Sequence, residues 1–496
     1  MVGTCIYGPS DASANGTAAS NSESADAHMI SVVPITEVFA DGWKVSAVAV
    51  EYDKKINDAS LSPSDYTVKT DVAGQNIINV YTSADGEKTS QRGQDGQYVI
   101  LELSTDYVIP VSTGTSPKSA NQGTVAGTPG QGSGGPSQGP GGSGAMQSTT
   151  AKENLILNYE VVTKVGNITW DPSAHPGTLK ASGHSGDGKV VSVAQVGEIT
   201  ATDGMTITAG SSAKDNEYSR NLIVDGFMKP DYNDAGGSRV KYNIHFPRDY
   251  DKSKKYPVVL FFADENASVR FTHAEVLTQG LGGVIWADRD EEARNPCIVV
   301  VPAIRGSLEN DESAQPAANG PRSTSYQTIL NMMDYLLEQI PNIDKDRVYL
   351  TGQGGGARSV IRLMLERPDM FAAALLFAPD YDQIKITKLS TANMWIVVSE
   401  GDDAVYPNME ACIDSLKSAG AHISKAVWNG QSKEAQFVAS VNSMIAEGGN
   451  IKYAVLKKGT VVPSGVSDDT VNNHAYTWRT GYSIKGLRNW LFTNKK

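Results

Sequence analysis

The segment Thr351–Ala357, which reads TGQGGGA, is the part of the sequence whose residue types and spacing first suggest chemistry. It follows the apolar run DRVYLT and precedes the helical pattern ARSVIRLMLERP, so it is a sharp glycine-rich turn between a strand and a helix. That is the setting of a G-x-S-x-G turn, which presents a serine nucleophile. Gly352 and Gly356 occupy the two outer glycine positions, and Gly354 stands at the serine position. The central residue of such a turn has a strained backbone conformation, which glycine adopts at little energetic cost. Glycine at this position therefore keeps the turn and removes the hydroxyl.

Two further residues follow in the chain order nucleophile, acid, histidine. Asp403 lies in SEGDDAVYP, just beyond the strand MWIVVS, with Asp402 as its rival. His474 lies in NNHAYTW, which we expect to be a loop before the last helix. In a working triad the aspartate orients the imidazole, which takes the proton from the serine. We therefore predict that Gly354, Asp403 and His474 occupy the three triad positions.

Other side chains are weaker candidates for chemistry. Ser359 lies one turn into the helix and should point into packing, and Ser399 ends the strand before Asp403. His273 could line the cleft, and His422 is an ordinary residue between a helix and a strand. A nucleotide site at the turn is disfavoured, because TGQGGGAR lacks the lysine of a phosphate-binding loop and the G-x-G-x-x-G spacing.

The second half of the chain alternates strands and helices. KYPVVLFFA and CIVVVPA are continuous apolar runs, as expected for strands of a parallel sheet that is covered on both faces. Residues Tyr326–Ile340 place apolar side chains on one face of a helix. We predict a doubly wound α/β domain over residues 216–496.

The first half reads as strands and turns. Residues 1–28 form a Ser/Ala/Asn/Asp-rich tether, and residues 29–215 form an all-β domain. A Gly/Ser/Pro-rich insertion at residues 112–150 has little apolar surface to bury, so we expect it to be disordered. The β region is one sandwich with this insertion, or two small β domains. We prefer one, because neither half has the roughly seven strands of a sandwich.

The chain resembles α/β-hydrolase carboxylesterases that carry an N-terminal immunoglobulin-like domain, close to the polyhydroxybutyrate-depolymerase and feruloyl-esterase-like group. The motifs that carry this resemblance are VVPITEVFADGWKVSAVAVEY, VKYNIHFPRDYDKSKKYPVVLFF, VYLTGQGGG, RPDMFAAALLFAPDYD, GDDAVYP and HAYTW. It implies an immunoglobulin-like sandwich, an α/β-hydrolase fold and hydrolysis of carboxylic esters.

The chain departs from this family at two places. Family members have serine where this chain has Gly354, and His-Gly where it continues Ala263, Asp264, Glu265 and Asn266. The resemblance implies that this stretch, with Gly355, supplies the oxyanion-hole N–H groups. Two carboxylates there disfavour a developing oxyanion, and loss of one donor alone costs about 10²–10³ in rate. We therefore expect a degenerate active site.

The overall charge limits the partners. With 55 acidic and 43 basic residues, the net charge is −12, which argues against nucleic acid and anionic membranes. No apolar run reaches the length of a membrane span. The N-terminus lacks signal-peptide regions, yet the tether is typical of exported proteins, and VGTC at Val2–Cys5 faintly resembles a lipoprotein site. We expect a secreted or surface-attached protein.

Three functions remain open. The first is an esterase homologue without serine chemistry, which retains its cleft for a small-molecule ester or a polymer or glycan ligand. The second is an active carboxylic-ester hydrolase with an unrecognised nucleophile, and the third is a structural or adhesive module. No cofactor or metal is predicted; Asp264 and Glu265 could ligate a cation, but no histidine lies at a useful spacing from them.

Overall fold

The computed structural model describes residues 28–88, 92–108, 184–185, 191–215, 218–219, 221, 223–234, 239–265, 277, 279–304, 306–308 and 326–496. The predicted tether up to residue 27, with Cys5, and the insertion at 112–150 lie outside these residues. The N-terminal region contains the strands β1 Met29–Phe39, β2 Gly42–Ile56, β3 Tyr66–Thr70, β4 Ile77–Ser83, β5 Gly96–Leu103, β6 His184–Ser185, β7 Val191–Gln195, β8 Ile199–Thr200, β9 Thr206–Ile207, β10 Ser212–Asp215 and β11 Tyr218–Ser219.

These strands form one sandwich-like unit rather than two small domains. One sheet has the order β1-β2-β5-β4, and a second has the order β10-β7-β3. Because β7 pairs with β3, a strand beyond the predicted insertion is hydrogen-bonded to one that precedes it. Val48, Val50 and Leu101 of the first sheet share a buried core with Val193 of the second. Alternating apolar side chains on both inner faces explain this packing.

The C-terminal region is a nine-stranded mixed sheet with helices on both faces. Its strands are β12 Asp231–Asn233, β13 Arg239–His245, β14 Tyr256–Phe262, β15 Ile298–Ala303, β16 Ile343–Gln353, β17 Ala373–Phe377, β18 Met394–Ser399, β19 Ile423–Trp428 and β20 Ile451–Leu456. The helices are α1 Arg289–Arg294, α2 Tyr326–Gln339, α3 Gly355–Glu366, α4 Tyr406–Ser418, α5 Glu434–Ala446, α6 Thr470–Ser483 and α7 Lys485–Phe492. The strand order is β12-β13-β15-β14-β16-β17-β18-β20-β19.

The pattern of this sheet confirms the predicted α/β-hydrolase fold class. β14 to β20 run parallel, and β12 and β13 extend one edge antiparallel. Every residue of β14 is buried, as its continuous apolar run predicts. Apolar residues of α2, α3 and α4 pack on one face, whereas those of α5, α6 and α7 pack on the other. An apolar core therefore covers each face of the sheet, and together the two cores fix the positions of the carboxyl ends of its strands.

One local expectation was wrong. His474 lies in the first turns of helix α6, not in a loop before the last helix. Asp469 caps this helix by accepting a hydrogen bond from the Asn472 N–H at 2.9 Å. The polar run SDDTVNN resembles a loop, but it contains this N-cap, and the apolar residues Ala475, Tyr476 and Trp478 that follow are buried. The imidazole is therefore fixed to a packed helix.

The hairpin between β1 and β2 contacts the C-terminal region. Val38 and Trp43 flank its tip and pack against the apolar core beneath α6. At the tip, the Ala40 carbonyl oxygen would lie 3.5 Å from a Cβ atom at Gly280. The adjacent Trp478 side chain would lie 3.3 Å from the same point. The β domain therefore shares apolar packing with the sheet domain.

We expect Trp43→Ala to lower the melting temperature of the sheet domain as well as that of the β domain. The substitution removes an indole from a shared core, and truncating a large buried aromatic side chain costs about 3–5 kcal/mol, less for a half-buried one. Thermal unfolding followed by near-ultraviolet circular dichroism measures this change. Ile78→Ala, at a side chain that is 63% exposed on β4, is the matched control. Equal melting temperatures for the two variants would contradict the shared packing.

Candidate functional site

The turn at Gly354 joins β16 to α3. Gly354 has φ 52° and ψ −123°, a conformation that side chains with a Cβ atom rarely adopt. Its N–H donates to the Phe377 carbonyl at 3.0 Å, which ties the turn to the neighbouring strand β17. A Cβ atom at Gly356 would lie 2.2 Å from the Phe262 carbonyl oxygen, so glycine there lets α3 approach β14. The turn therefore joins strand to helix as the predicted G-x-S-x-G elbow would, with glycine at its central position.

His474 is held beside this turn by a carboxylate. Its Nδ1 atom lies 2.6 Å from Oδ2 of Asp402, whose side chain is 1% exposed. The Trp478 ring packs edge-on against the imidazole, with ring centroids 5.0 Å apart. Nε2 consequently faces the turn, where it would lie 3.0 Å from a Cβ atom at Gly354. This is the arrangement in which a carboxylate fixes the tautomer and direction of an imidazole.

The carboxylate that contacts His474 belongs to Asp402, so the prediction of Asp403 is wrong. The Asp403 side chain is 71% exposed and lies 3.7 Å from the Lys458 ammonium. Asp402 is buried, and its carbonyl and its Oδ1 atom both accept from the Val405 N–H in the tight turn that leads into α4. In such a turn adjacent side chains point in different directions. The pair Asp-Asp in GDDAVYP gave no signal that separates the two.

Asp264 occupies the space beside Gly354. Its Oδ2 atom accepts a hydrogen bond from the Gly355 N–H at 3.1 Å. The same atom lies 2.1 Å from the position that a Cβ atom at Gly354 would take, which is closer than any non-bonded contact. Sequence reasoning identified Asp264 as an altered oxyanion residue but missed that its carboxylate lies beside Gly354. The signal is the glycine at position 354 together with an acidic residue in the facing loop.

Two N–H groups of the predicted oxyanion region already have acceptors. The Gly355 N–H donates to Asp264, and the Asp264 N–H donates to the Gln279 side-chain oxygen at 2.8 Å. Gln279 is held in turn by the Gln353 amide, which donates to its backbone and side-chain oxygens at 2.9 and 3.1 Å. A substrate oxygen would have to displace these acceptors before it could receive either hydrogen bond.

The loop that follows β14 is also held in place by Ala263 and Glu265, on either side of Asp264. Glu265 forms an ion pair with Arg358, and its Cβ atom would lie 2.7 Å from a Cβ atom at Gly355. Ala263 is 7% exposed and packs into the apolar core. Asn266 lies outside the described residues. The loop is therefore fixed at Ala263 by apolar contact and at Glu265 by charge.

The two alternative serines are engaged elsewhere. The Ser359 hydroxyl donates to the Gly355 carbonyl at 3.1 Å and accepts from the Leu308 N–H at 3.0 Å. The Ser399 hydroxyl donates to the Asn473 side chain at 2.8 Å. Both residues are fully buried. These hydrogen bonds are structural. Among the described residues, neither hydroxyl contacts the imidazole of His474.

The other candidate side chains do not join the site. His422 precedes β19, where its N–H donates to Asn450, and His273 lies outside the described residues. Burial raises the pKa of the Cys412 thiol to about 12, and it raises that of Cys297 well above its usual range. Both thiols stay protonated and unreactive at neutral pH. Within the described ranges, no group of three or more His, Cys, Asp or Glu side chains could hold a metal ion.

Fold and site geometry together define an α/β hydrolase whose sheet ends in an elbow, an imidazole and its carboxylate. The chain matches two family models: "Esterase Ig-like N-terminal domain" over residues 31–208 and "Putative esterase" over residues 234–472. It therefore belongs to the esterase-family α/β hydrolases that carry an immunoglobulin-like N-terminal domain. No curated protein matches its sequence.

Three solved structures are among those similar to this chain, and the first of them has the same fold. A thermostable esterase superposes with a TM-score of 0.62 at 21% identity, over 94% of this chain and 100% of that one. A ferulic acid esterase from Anaeromyces mucronatus is 16% identical, with a TM-score of 0.33 over 53% of this chain and 91% of that one. A mutant feruloyl esterase module from Clostridium thermocellum, complexed with sinapinate, is 14% identical, with a TM-score of 0.34 over 52% and 87%.

Asp402→Asn should alter the ring-nitrogen signals of His474, whereas Asp403→Asn should leave them unchanged. The first substitution replaces the acceptor of the Nδ1 hydrogen with an amide, which changes the tautomer or weakens the bond. Nitrogen-15 spectra of the imidazole measure the effect. The two variants remove the same charge from adjacent residues, so each controls for the other. A larger change in Asp403→Asn would overturn the assignment of Asp402.

Proposed function

We propose that this chain is an esterase homologue that does not perform acyl transfer through serine and that uses its cleft to bind a ligand. The observation that carries the proposal is the Asp264 carboxylate, which lies beside Gly354 and accepts the Gly355 N–H. Three requirements of serine catalysis are then unmet together, namely the hydroxyl and both N–H donors. Loss of a triad nucleophile costs on the order of 10⁶ in kcat.

The rest of the site supports binding. His474 is 26% exposed, so a ligand in the cleft can reach its imidazole, and Asp402 holds that ring in a fixed direction. The fold of the chain favours an ester as the ligand, either a small molecule or the ester-bearing end of a polymer or glycan. The net charge of −12 disfavours nucleic acid. The retained imidazole thus serves ligand recognition without a serine.

The location of the protein is part of the same proposal. The first 28 residues are rich in Ser, Ala, Asn and Asp, as in the tethers of exported proteins, and Cys5 is a candidate lipid attachment site. No helix in the described part of the chain is long and apolar enough to cross a membrane. We assign the protein to the secreted or surface-attached class on the tether alone.

The purified full chain should not react with fluorophosphonate probes. These probes label an activated serine oxygen, and both candidate serines beside the site are buried and hydrogen-bonded. Mass spectrometry after prolonged incubation measures the labelling, with a serine esterase of the same fold as the positive control. Stoichiometric labelling of any serine in this chain would show that an unrecognised nucleophile is active.

Gly354→Ser alone should remain inert, whereas Gly354→Ser with Asp264→Gly should label with fluorophosphonate and hydrolyse p-nitrophenyl acetate. A Cβ atom at position 354 would collide with the Asp264 carboxylate, and removing that carboxylate frees the Gly355 N–H. We expect the double variant to exceed the single variant by at least about 10²-fold in rate.

The matched control for this experiment is Gly354→Ser with Asp403→Gly, which removes an exposed carboxylate from the neighbouring loop. It should behave as Gly354→Ser alone. Equal activity in Gly354→Ser and the Asp264 double variant would mean that the carboxylate moves aside and does not block the turn.

A further inference from the structure

We propose that the ligand of this cleft is held beside Gly354 by one of its own hydroxyl groups, which donates a hydrogen bond to Nε2 of His474. This inference rests on the proposed function, because it applies to a site without serine chemistry, and it names the chemical class of the ligand. That class is an alcohol, which includes a partly esterified polyol or glycan with a free hydroxyl group. The observation that carries it is an unpaired acceptor at a turn whose backbone donors are already bonded.

The bond to Asp402 decides the hydrogen-bonding polarity of the imidazole. Nδ1 of His474 lies 2.6 Å from Oδ2 of Asp402, and an ionised carboxylate can only accept a hydrogen bond. Nδ1 therefore carries the ring hydrogen, and Nε2 of the neutral ring carries a lone pair. The other carboxylate oxygen, Oδ1, accepts from the Val405 N–H at 3.2 Å, which fixes the orientation of the carboxylate. The Nε2 side of His474 is thus an acceptor and not a donor.

Nε2 is open to a ligand. It would lie 3.0 Å from a Cβ atom at Gly354, and the His474 side chain is 26% exposed. Among the described residues no group donates a hydrogen bond to Nε2, since the hydroxyl groups of Ser359 and Ser399 donate elsewhere. In a serine hydrolase the hydroxyl of the nucleophile donates to this nitrogen. With glycine at position 354, a hydroxyl group of the ligand can make the same hydrogen bond.

The backbone donors of the turn favour the same class of ligand. The Gly354 N–H donates to the Phe377 carbonyl at 3.0 Å, and the Gly355 N–H donates to Asp264 at 3.1 Å. The Asp264 N–H donates to the Gln279 side chain at 2.8 Å. The oxygen atoms of an ester group only accept hydrogen bonds, so an ester group would have to break one of these bonds to be held by the turn. A hydroxyl group can donate to Nε2 and leave all three bonds intact.

A second unpaired acceptor lies next to the turn. Gln353 precedes Gly354 and is fully buried, and its Nε2 atom donates to the backbone and side-chain oxygens of Gln279 at 2.9 and 3.1 Å. Because these two bonds identify the amide nitrogen, the remaining atom Oε1 is an acceptor. Among the described residues it has no hydrogen-bond partner. A buried acceptor without a donor is costly, so this region is better matched by a donor than by a further acceptor.

A neutral hydroxyl group matches Nε2 better than an ammonium group does. The neutral imidazole of His474 offers a single lone pair, and a hydroxyl group has a single hydrogen to donate. An ammonium group has three hydrogens and a charge, and the loss of its hydration is costly unless each hydrogen finds a partner. The one-to-one match therefore favours an alcohol.

The test uses two small esters that differ only in the hydroxyl group, methyl glycolate and methyl methoxyacetate. Each ester is titrated into the full chain with nitrogen-15 histidine, at a pH at which the His474 ring is neutral. The loss of its signals in His474→Phe identifies them. We expect Nε2 to resonate as an unprotonated nitrogen and to shift when methyl glycolate is added. Methyl methoxyacetate should bind at least about fivefold more weakly, because it lacks the donor.

Asp402→Asn changes the polarity of the imidazole without removing it. The amide oxygen would keep the bond from the Val405 N–H, so the amide nitrogen would face Nδ1 of His474 and the ring hydrogen would move to Nε2. The preference for methyl glycolate should then be lost. Asp403→Asn removes the same charge from an exposed neighbour, and as the matched control it should keep the wild-type preference. If Asp402→Asn does not fold, the comparison of the two esters on the wild-type chain still decides.

Equal affinity of the wild-type chain for the two esters, no response to either, or an Nε2 that resonates as a protonated nitrogen would overturn the inference. Tighter binding of the methyl ester of β-alanine, which carries an ammonium group, would overturn the choice of a neutral donor. Fluorophosphonate labelling of the same sample separates the two proposals. A labelled serine would contradict the proposed function, whereas an unlabelled protein without the preference for methyl glycolate would contradict this inference alone.

Discussion

A single volume beside the elbow turn decides the chemistry of this site. It holds either a Cβ atom with its side chain at position 354 or the carboxylate of Asp264, since the two would be 2.1 Å apart. The carboxylate also uses the Gly355 N–H that an oxyanion would need. Glycine at position 354 and the carboxylate of Asp264 in this orientation are therefore sterically linked. Either residue without the other would leave a steric clash or a gap in a packed region.

The scaffold around this volume does not depend on the nucleophile. Parallel strands end at one edge of the sheet, so the chain after β14 carries Asp264, the chain after β16 carries Gly354 and the chain after β18 carries Asp402. Their positions are set by the buried strands and by the two cores on either face, not by contacts within the site. For this reason the turn, the imidazole and its carboxylate hold their positions with a glycine at position 354.

Much of this arrangement could be predicted from the sequence, because long apolar runs and amphipathic helices encode the sheet directly. The helix predicted at 326–340 lies at Tyr326–Gln339, and the turn at Gly354 joins the expected strand and helix. The sequence could not show whether Asp402 or Asp403 contacts His474, because the geometry of a tight turn determines which of two adjacent side chains is buried. The direction of the Asp264 carboxylate depends on the Gly355 N–H, which is brought near only by tertiary packing.

The β domain is connected to the residues around Gly354 through the hairpin formed by β1 and β2. Its tip meets Gly280, and the neighbouring Gln279 side chain accepts the Asp264 N–H. Trp478 contacts both Gly280 and the imidazole of His474. Asp264 and His474 are therefore each one residue removed from the hairpin contact. Because buried N–H groups are costly to leave unpaired, a shift of Gln279 would disturb the placement of the carboxylate. The immunoglobulin-like domain thus belongs to the structure that holds the site, and its packing contributes to keeping Asp264 beside Gly354.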